Sequence, residues 1–342
     1  MLHKRKSFII ILICFFSIFV FSCAKAGGTS TQGKDNQEVT SNGEQDKVCN
    51  YSVDFIDVGE GDCIFIRFPD GKTMLIDTGE KSDKNYKKIT DCIDKSGAKS
   101  IDYLMITHPD FDHSGNALDI IQNFDVGVAY IPYLHNSKFG FYKYYSEFYD
   151  LLVEKEISKK YSNYYHYLKG EEYLVAFLTP SPKGMVGGEY YEFTLSEAPT
   201  ESQSNSLSPI IYVQICGVRF VFTGDAPENQ EKKALENLKL NAKNHYEYYG
   251  LNVNLDNVDY LKISHHGSSD ASCEEFLSVL APKNAIISVG GNNNYGHPSS
   301  QVLKRLQKAN ENYLLYRTDV NGSISVIGRG SQTSVAVEIS KN

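Results

Sequence analysis

At 342 residues the chain has room for one large domain or two ordinary ones, and 41% hydrophobic with 22% charged residues is the balance of a soluble globular protein with a full core. A formal net charge of −8 removes the overall attraction that nucleic-acid binders show, so a nucleic-acid substrate needs a local basic patch or metal ions. The seven cysteines include no C-x-x-C pair, which argues against a zinc-thiolate site and a disulfide framework.

The chain opens with basic HKRK, then an apolar run that ends at Ser22-Cys23. That is the layout of an export signal. Val20-Phe21-Ser22-Cys23 resembles the bacterial lipobox, in which the cysteine carries a lipid and becomes the mature N-terminus. The alternative, an uncleaved membrane anchor, needs about 20 apolar residues, and this run is a little short. Either reading puts the remainder outside the cytoplasmic membrane. Residues 24–48 hold almost nothing that can be buried and read as a flexible tether. Beyond the signal and Cys23, the cysteines are Cys49, Cys63, Cys92, Cys216 and Cys273; a disulfide is compatible with export, but the sequence does not name its partners.

From Tyr51 the pattern is that of strands: YSVDFIDV, a glycine-rich turn GEGD, CIFIRF, the turn PDGK, and TMLIDTG. NYKKITDCIDKS then reads as a helix with Gly97 at its C-cap. IDYLMITH is a buried strand, the segment after Gly115 a helix, and VGVAYIP a strand. Residues 133–170, dense in Tyr, Phe and Lys, read as an inserted helical excursion whose aromatic and basic surface suits bases, sugars or a choline-like cation. Residues 183–206 read as a loop. The second half repeats the alternation: EEYLVAFLTP, SPIIYVQICGVRFVFTGD, a helix from about Glu228 to Leu240, VDYLKISHHG, CEEFLSVLAP, NAIISVG, SSQVLKRLQKA and terminal strands. The fold class is α/β, with two sheets sandwiched between helical layers, an αββα arrangement over residues 49–342.

Ionisable residues gather where buried strands end. His108, Asp110, Asp112 and His113 follow IDYLMI; Asp225 follows VRFVFTG; His265 and His266 follow LKIS; His297 follows AIISVG by a short loop. Imidazole and carboxylate are ligands for zinc, manganese or iron, and the carboxylates tilt the preference toward harder ions. Polar exits from four successive strands point to one shared site. No G-x-S-x-G elbow is present, which argues against a covalent serine route.

THPDFDHSG resembles the H-x-H-x-D-H signature of the metallo-β-lactamase superfamily in an H-x-D-x-D-H version. The series FIDVGEGDCIFIRFPDGKTMLIDTG, THPDFDHSGN, FVFTGD, LKISHHGSSDASCEEFL and AIISVGGNNNYGHPSSQVL is similar to the extracellular hydrolase domain of ComEC-type competence proteins. The resemblance implies two divalent ions, Zn or Mn, with His108 and Asp110 on the first, Asp112 and His113 on the second, and Asp225 bridging. The HHG motif would add a ligand to the second ion; His265 and His266 both remain open, with His266 favoured because it adjoins the glycine. Asp77 would belong to the shell beneath. His297 would face the substrate's anionic group or donate a proton, a task Asp112 could share. One departure is plain: the family's additional histidine between the first cluster and the GD strand has no counterpart between Pro180 and Asp225. The first ion would then rest on His108, Asp110, Asp225 and water, with help near Asn205 to Ser208. The chemistry implied is hydrolysis by a metal-activated water.

The expected function is that of a lipid-anchored, extracytoplasmic phosphodiesterase whose substrate is DNA or a choline-phosphate polymer. Two alternatives stand beside it. An amide or ester hydrolase of the β-lactamase type is disfavoured by Asp110, where those enzymes carry histidine. A non-catalytic ligand-binding lipoprotein is favoured by the missing histidine and opposed by the acidic residues that survive.

Overall fold

The computed structural model describes residues 49–132, 134, 142–180, 185–186, 189–190, 204–241, 246 and 249–338. The stretch expected to be an export signal, Cys23 and the stretch expected to be a tether lie outside the described residues. So do much of residues 133–141 and most of the loop expected at 183–206. Among the described residues no helix is long and apolar enough to cross a membrane.

Three antiparallel strands come first: β1 (Asn50–Phe55), β2 (Ile64–Arg67) and β3 (Thr73–Ile76). They are followed by α1 (Asp83–Ser96), β4 (Ser100–Met105), the short α2 (Phe111–Ser114), α3 (Ala117–Asn123), β5 (Asp125–Ile131) and α4 (Lys143–Glu154). Next are β6 (Ser158–Tyr161), β7 (Tyr167–Gly170), β8 (Tyr173–Phe177) and a small hairpin of β9 (Met185–Val186) and β10 (Glu189–Tyr190). The second half contains β11 (Ile211–Ile215), β12 (Val218–Phe222), α5 (Glu228–Asn241), β13 (Tyr260–Lys262), α6 (Glu274–Leu280), β14 (Asn284–Ile287) and α7 (Ser300–Ala309). It closes with β15 (Leu314–Arg317), α8 (Thr318–Asn321), β16 (Ile324–Arg329) and β17 (Gln332–Val337).

The strands form one sheet in the order β17-β16-β1-β2-β3-β4-β5-β6 and another in the order β15-β14-β13-β12-β11-β8-β7. Side-chain alternation explains why they face each other. In β1, Tyr51, Val53 and Phe55 point to the same side as Ile64 and Ile66 of β2, and they meet Ile211, Val213, Val218, Phe220 and Phe222 of the opposite sheet. The intervening positions Phe65 and Leu75 point outward and pack with Ile89, Ile93, Ile120 and Phe148 of the helices on that face. Tyr212 and Val221 do the same on the far side, under Leu235, Phe276, Leu277, Val302 and Leu306. Helix, sheet, sheet and helix make four layers, the arrangement expected from the sequence.

Local signals held where they were strongest. α1 begins at Ser82, whose hydroxyl accepts from the Asn85 amide, and ends at Gly97 in the left-handed region at φ 78°. The stretch 133–170 requires a correction: among its described residues the helix is confined to Lys143–Glu154, while β6 and β7 are the outermost strands of the two sheets. β6 reads SKKY and is exposed throughout, so its edge position removes the apolar alternation by which a strand is recognised. The terminal strands are also divided, since β15 belongs to one sheet and β16 to the other, with α8 at the crossing.

Cys49 and Cys216 form a disulfide across 167 residues of chain, tying the start of β1 to the β11–β12 turn in the facing sheet. Cys63, Cys92 and Cys273 are free thiols. Closing so long a loop restricts the unfolded chain, so replacing both bridge cysteines with serine is expected to lower unfolding free energy by about 3 to 4 kcal/mol. Urea denaturation of oxidised wild type beside the double variant measures this; coincident curves would mean the bridge does not stabilise the fold.

Candidate metal centre

β3 and β4 are parallel, as are β12, β13 and β14, so their carboxyl ends open toward the same edge of the two sheets. The loops leaving those ends bring Asp77, the His108–His113 stretch, Asp225, His265, His266 and His297 together. The GEGD turn presses against α2: a Cβ on Gly61, whose φ is 113°, would lie 2.1 Å from the Asp112 carbonyl oxygen. Only glycine permits that approach.

The geometry centres on one atom. The Nε2 atoms of His108, His113, His265 and His266 lie 3.9, 3.3, 3.9 and 3.4 Å from Oδ2 of Asp225. Asp110 Oδ2 is 3.6 Å from His108 Nε2. Asp112 Oδ2 stands 3.6 Å from His113 Nε2 and 3.3 Å from His266 Nε2.

Each ring is held from behind. His113 Nδ1 donates to Asp77 Oδ2 at 2.9 Å, His266 Nδ1 to the Ser288 carbonyl at 2.9 Å, and His265 Nδ1 to Asp270 Oδ1 at 3.2 Å. His108 Nδ1 lies 3.1 Å from both the Thr107 and Ser208 hydroxyls. Fixing one ring nitrogen aims the other, which is how proteins orient imidazole ligands. Asp77 in turn accepts from the Thr107 amide and hydroxyl, so it sits beneath the site and organises both the strand exit and His113. His265 and His266 adopt left-handed backbone at φ 48° and 51°, a conformation costly for non-glycine residues, and it turns two consecutive imidazoles toward one carboxylate.

The donor set fits a divalent cation. Nε2 of His108, His113 and His266 and Oδ1 of Asp225 are buried without a hydrogen bond, although donors surround them. Unsatisfied buried polar atoms are costly and rare. Ligands about 2.1 Å from a tetrahedral ion stand about 3.4 Å from one another, close to the separations found here. Atoms of Asp112, His113, Asp225 and His266 all lie within 4.8 Å of each other.

The electrostatics agree. Burial opposes ionisation of Asp225 and Asp112, but His113 and His266 hold both carboxyls below the ordinary range. Burial would lower His113 and His266, yet the surrounding carboxylates hold both well above the usual histidine value. Burial, together with His113, keeps His108 well below it. For Asp110 burial prevails over the hydroxyl of Ser204, which donates to it, and the carboxyl is pushed up to about 6. Without a cation, protons on His113 and His266 balance the acids; a divalent ion supplies that charge directly.

A second acidic group, Asp62, Asp77 and His113, also lies close together. Its carboxylates are otherwise engaged. Asp62 is paired with the Lys262 ammonium, and both residues are fully buried. Lys262 Nζ also donates to the Gly224 carbonyl at 3.0 Å and stands 4.0 Å from Asp225 Oδ1. The one sign of this cationic prop in the sequence is a lysine inside the apolar strand YLKIS.

His297 sits at the rim, its ring centre 5.7 Å from that of His265 and 6.4 Å from that of His266. Its Nδ1 lies 3.3 Å from Glu60 Oε1, while Glu60 Oε2 accepts from the Gly290 amide at 2.7 Å. Exposed Tyr295 stacks on His297, and exposed Phe111 packs on Tyr144 of α4 with ring centres 4.9 Å apart. The sequence pointed to the stretch Asn205 to Ser208 without naming contacts; Glu60 reaches His297 from a distant loop, and Asp270 lies five residues beyond His265 in the same loop, where no spacing rule marks it.

The sequence comparisons agree with this architecture. ComE operon protein 3 of Bacillus subtilis (strain 168) is 30% identical over 287 residues, covering 80% of this chain and 32% of that protein. Competence protein ComA of Neisseria gonorrhoeae is 24% identical over 286 residues, covering 83% of this chain and 33% of its own length. The chain thus spans about a third of the length of these relatives. Among solved structures, the metallo-beta-lactamase fold protein YhfI from Bacillus subtilis superposes with a TM-score of 0.48 at 8% identity, covering 82% of this chain and 100% of YhfI. The family profile of the Metallo-beta-lactamase superfamily matches residues 56–291, from the end of β1 to beyond β14. The chain therefore belongs to the metallo-β-lactamase superfamily and is a metal-dependent hydrolase of that family.

Proposed function

We propose that the chain is an extracytoplasmic, lipid-anchored phosphodiesterase using two divalent ions, Zn or Mn. The observation that carries this reading is the convergence of histidine and aspartate donors on Asp225, with an aspartate at position 110. His108 and Asp110 would hold the first ion, Asp112, His113 and His266 the second, and Asp225 would serve both. Bound ions would activate water and neutralise charge developing on the phosphoryl oxygens. Asp77, Ser208 and Ser288 keep the imidazoles aimed. Glu60 fixes the His297 ring at the rim, where its other nitrogen handles the leaving-group proton.

Competence-protein relatives support DNA as the substrate class, and the exposed Tyr295 and the Phe111–Tyr144 pair offer stacking surfaces for bases or for a choline cation. The Cys49–Cys216 disulfide supports an oxidising, extracytoplasmic location. Labelling with a radioactive fatty acid, lost in Cys23→Ala, tests the lipid anchor.

Hydrolysis of bis-p-nitrophenyl phosphate and p-nitrophenyl phosphorylcholine with added Mn or Zn, beside an Asp112→Ala control, tests the activity. Loss of turnover in the control is expected, and the ratio of rates separates the two substrate classes. Absence of both activities in metal-loaded protein would sink the phosphodiesterase reading.

Metal uptake is expected to strengthen with pH. Below about 6 Asp110 is protonated and a poor donor, and His113 and His266 retain protons well above the ordinary histidine value. Each displaced proton adds up to about tenfold in affinity per pH unit. Calorimetry between pH 5 and 8, in buffers of different ionisation enthalpy, reads both the slope and the proton release; a flat affinity would contradict the charge balance described.

A further inference from the structure

The four imidazoles around Asp225 stand at two distances from its Oδ2. His113 and His266 lie at 3.3 and 3.4 Å, on the side of Asp112. His108 and His265 lie at 3.9 Å each, and Asp110 accompanies His108. We propose that the consecutive histidines serve different ions: His266 completes the second site, and His265, with the side-chain oxygen of Asn205, completes the first in place of the family's missing histidine.

Three observations carry this. First, His265 has the setting of a ligand, since Asp270 holds its Nδ1 at 3.2 Å while Nε2 is directed at the Asp225 oxygen that the other rings share. Its side chain is nearly buried, as a rim residue engaged with bulk solvent would not be. Second, Asn205 is 3% exposed, its Nδ2 is 3.5 Å from His265 Nε2, and its Oδ1 is buried without a hydrogen bond. A half-turn of the amide exchanges oxygen and nitrogen, so the unsatisfied acceptor is available on the His265 side. Third, the segment carrying Asn205 is anchored at both ends of the site. The Ser204 hydroxyl donates to Asp110, and the Ser208 hydroxyl meets His108 Nδ1 at 3.1 Å and accepts from the Asp225 amide at 3.2 Å. A histidine there would be bulkier than asparagine, and the left-handed His265 supplies the imidazole from the loop after β13 instead.

The first ion would thus have two nitrogens, His108 and His265, with oxygens from Asp110, Asp225 and Asn205. That oxygen-rich set suits Mn(II) better than a site of three imidazoles would.

The inference rests on the reading of the cluster as a metal centre, but its test requires no hydrolysis. Purified protein is loaded with Mn(II), its bound metal counted by plasma mass spectrometry, and the ions examined by electron paramagnetic resonance. Wild type is expected to bind two equivalents with the signal of a coupled pair. His265→Ala and His266→Ala should each retain one equivalent and give the signal of an isolated ion, with thermal melting checking that both fold. Asn205→Ala should weaken the first ion about tenfold or more, whereas Asn205→Asp, which keeps an oxygen donor, should hold it at least as tightly as wild type. Asp270→Asn should weaken that ion alone. Two equivalents in His265→Ala, loss of both ions in that folded variant, or a single equivalent in wild type would overturn the proposal. Two tightly bound ions in a protein that hydrolyses no phosphodiester would instead overturn the function proposed above and leave this assignment standing.

Discussion

Asp225→Ala is expected to reduce the proposed phosphodiester hydrolysis by about a thousand-fold or more and to weaken both of the proposed ions together. All four Nε2 atoms converge on Oδ2 of this one side chain, so no neighbour replaces it. Lewis-acid stabilisation of a transition state contributes several kcal/mol, and about 4 kcal/mol corresponds to about a thousand-fold in rate. Asp225→Asn separates shape from charge: it keeps the amide-sized group under the rings but removes the negative charge that His113 and His266 balance. The measurement is turnover beside metal content for both variants. Activity within tenfold of wild type in Asp225→Ala would show that the ions are held elsewhere.

Lys262→Met is expected to destabilise the fold by about 3 to 5 kcal/mol. Methionine fills much of the volume, so the cost is electrostatic: Asp62 is left buried and charged, and the Gly224 carbonyl loses its donor. The double variant Lys262→Met with Asp62→Leu removes both charges. It is expected to recover most of the loss, because a buried ion pair replaced by apolar groups is often nearly neutral. Urea denaturation of the two singles and the double gives the coupling energy directly. A double variant as unstable as the singles combined would mean that the pair does not act as a unit. In either case the Gly224–Asp225 turn loses its support, so metal affinity in the double variant is expected to remain below wild type.

Much of this was legible in the sequence because strand periodicity and strand termination are local. Alternation in YSVDF, IFIR and VRFVF assigns inner and outer faces residue by residue, and the observed core follows that pattern through Val53, Ile64, Phe220 and Phe222. The capped helix at Asp83–Ser96 was equally local. Clusters of histidine and aspartate at strand exits announced a site, since parallel strands deliver their carboxyl ends to a common edge. The edge strand SKKY was not legible, because it is exposed at every position and therefore carries no apolar alternation. Nor was the Cys49–Cys216 bond, whose partners are separated by 167 residues and meet only after two sheets have stacked.

The sequence by itself determined the fold class, the family and the residue types at the centre: these depend on short-range pattern and on motifs contained within single loops. Tertiary structure decided everything that depends on direction. Four rings share one oxygen of Asp225, Lys262 reaches Asp62 beneath them, Glu60 holds His297, and Asn205 faces His265 across the site. Asp62 with Lys262, Glu60 with His297, and Asp225 with His108 and His113 join loops from opposite sheets, while Asn205 and His265 join separate loops of one sheet. Their geometry comes from how the sheets pack and from the left-handed turn at His265-His266, which no spacing along the chain encodes.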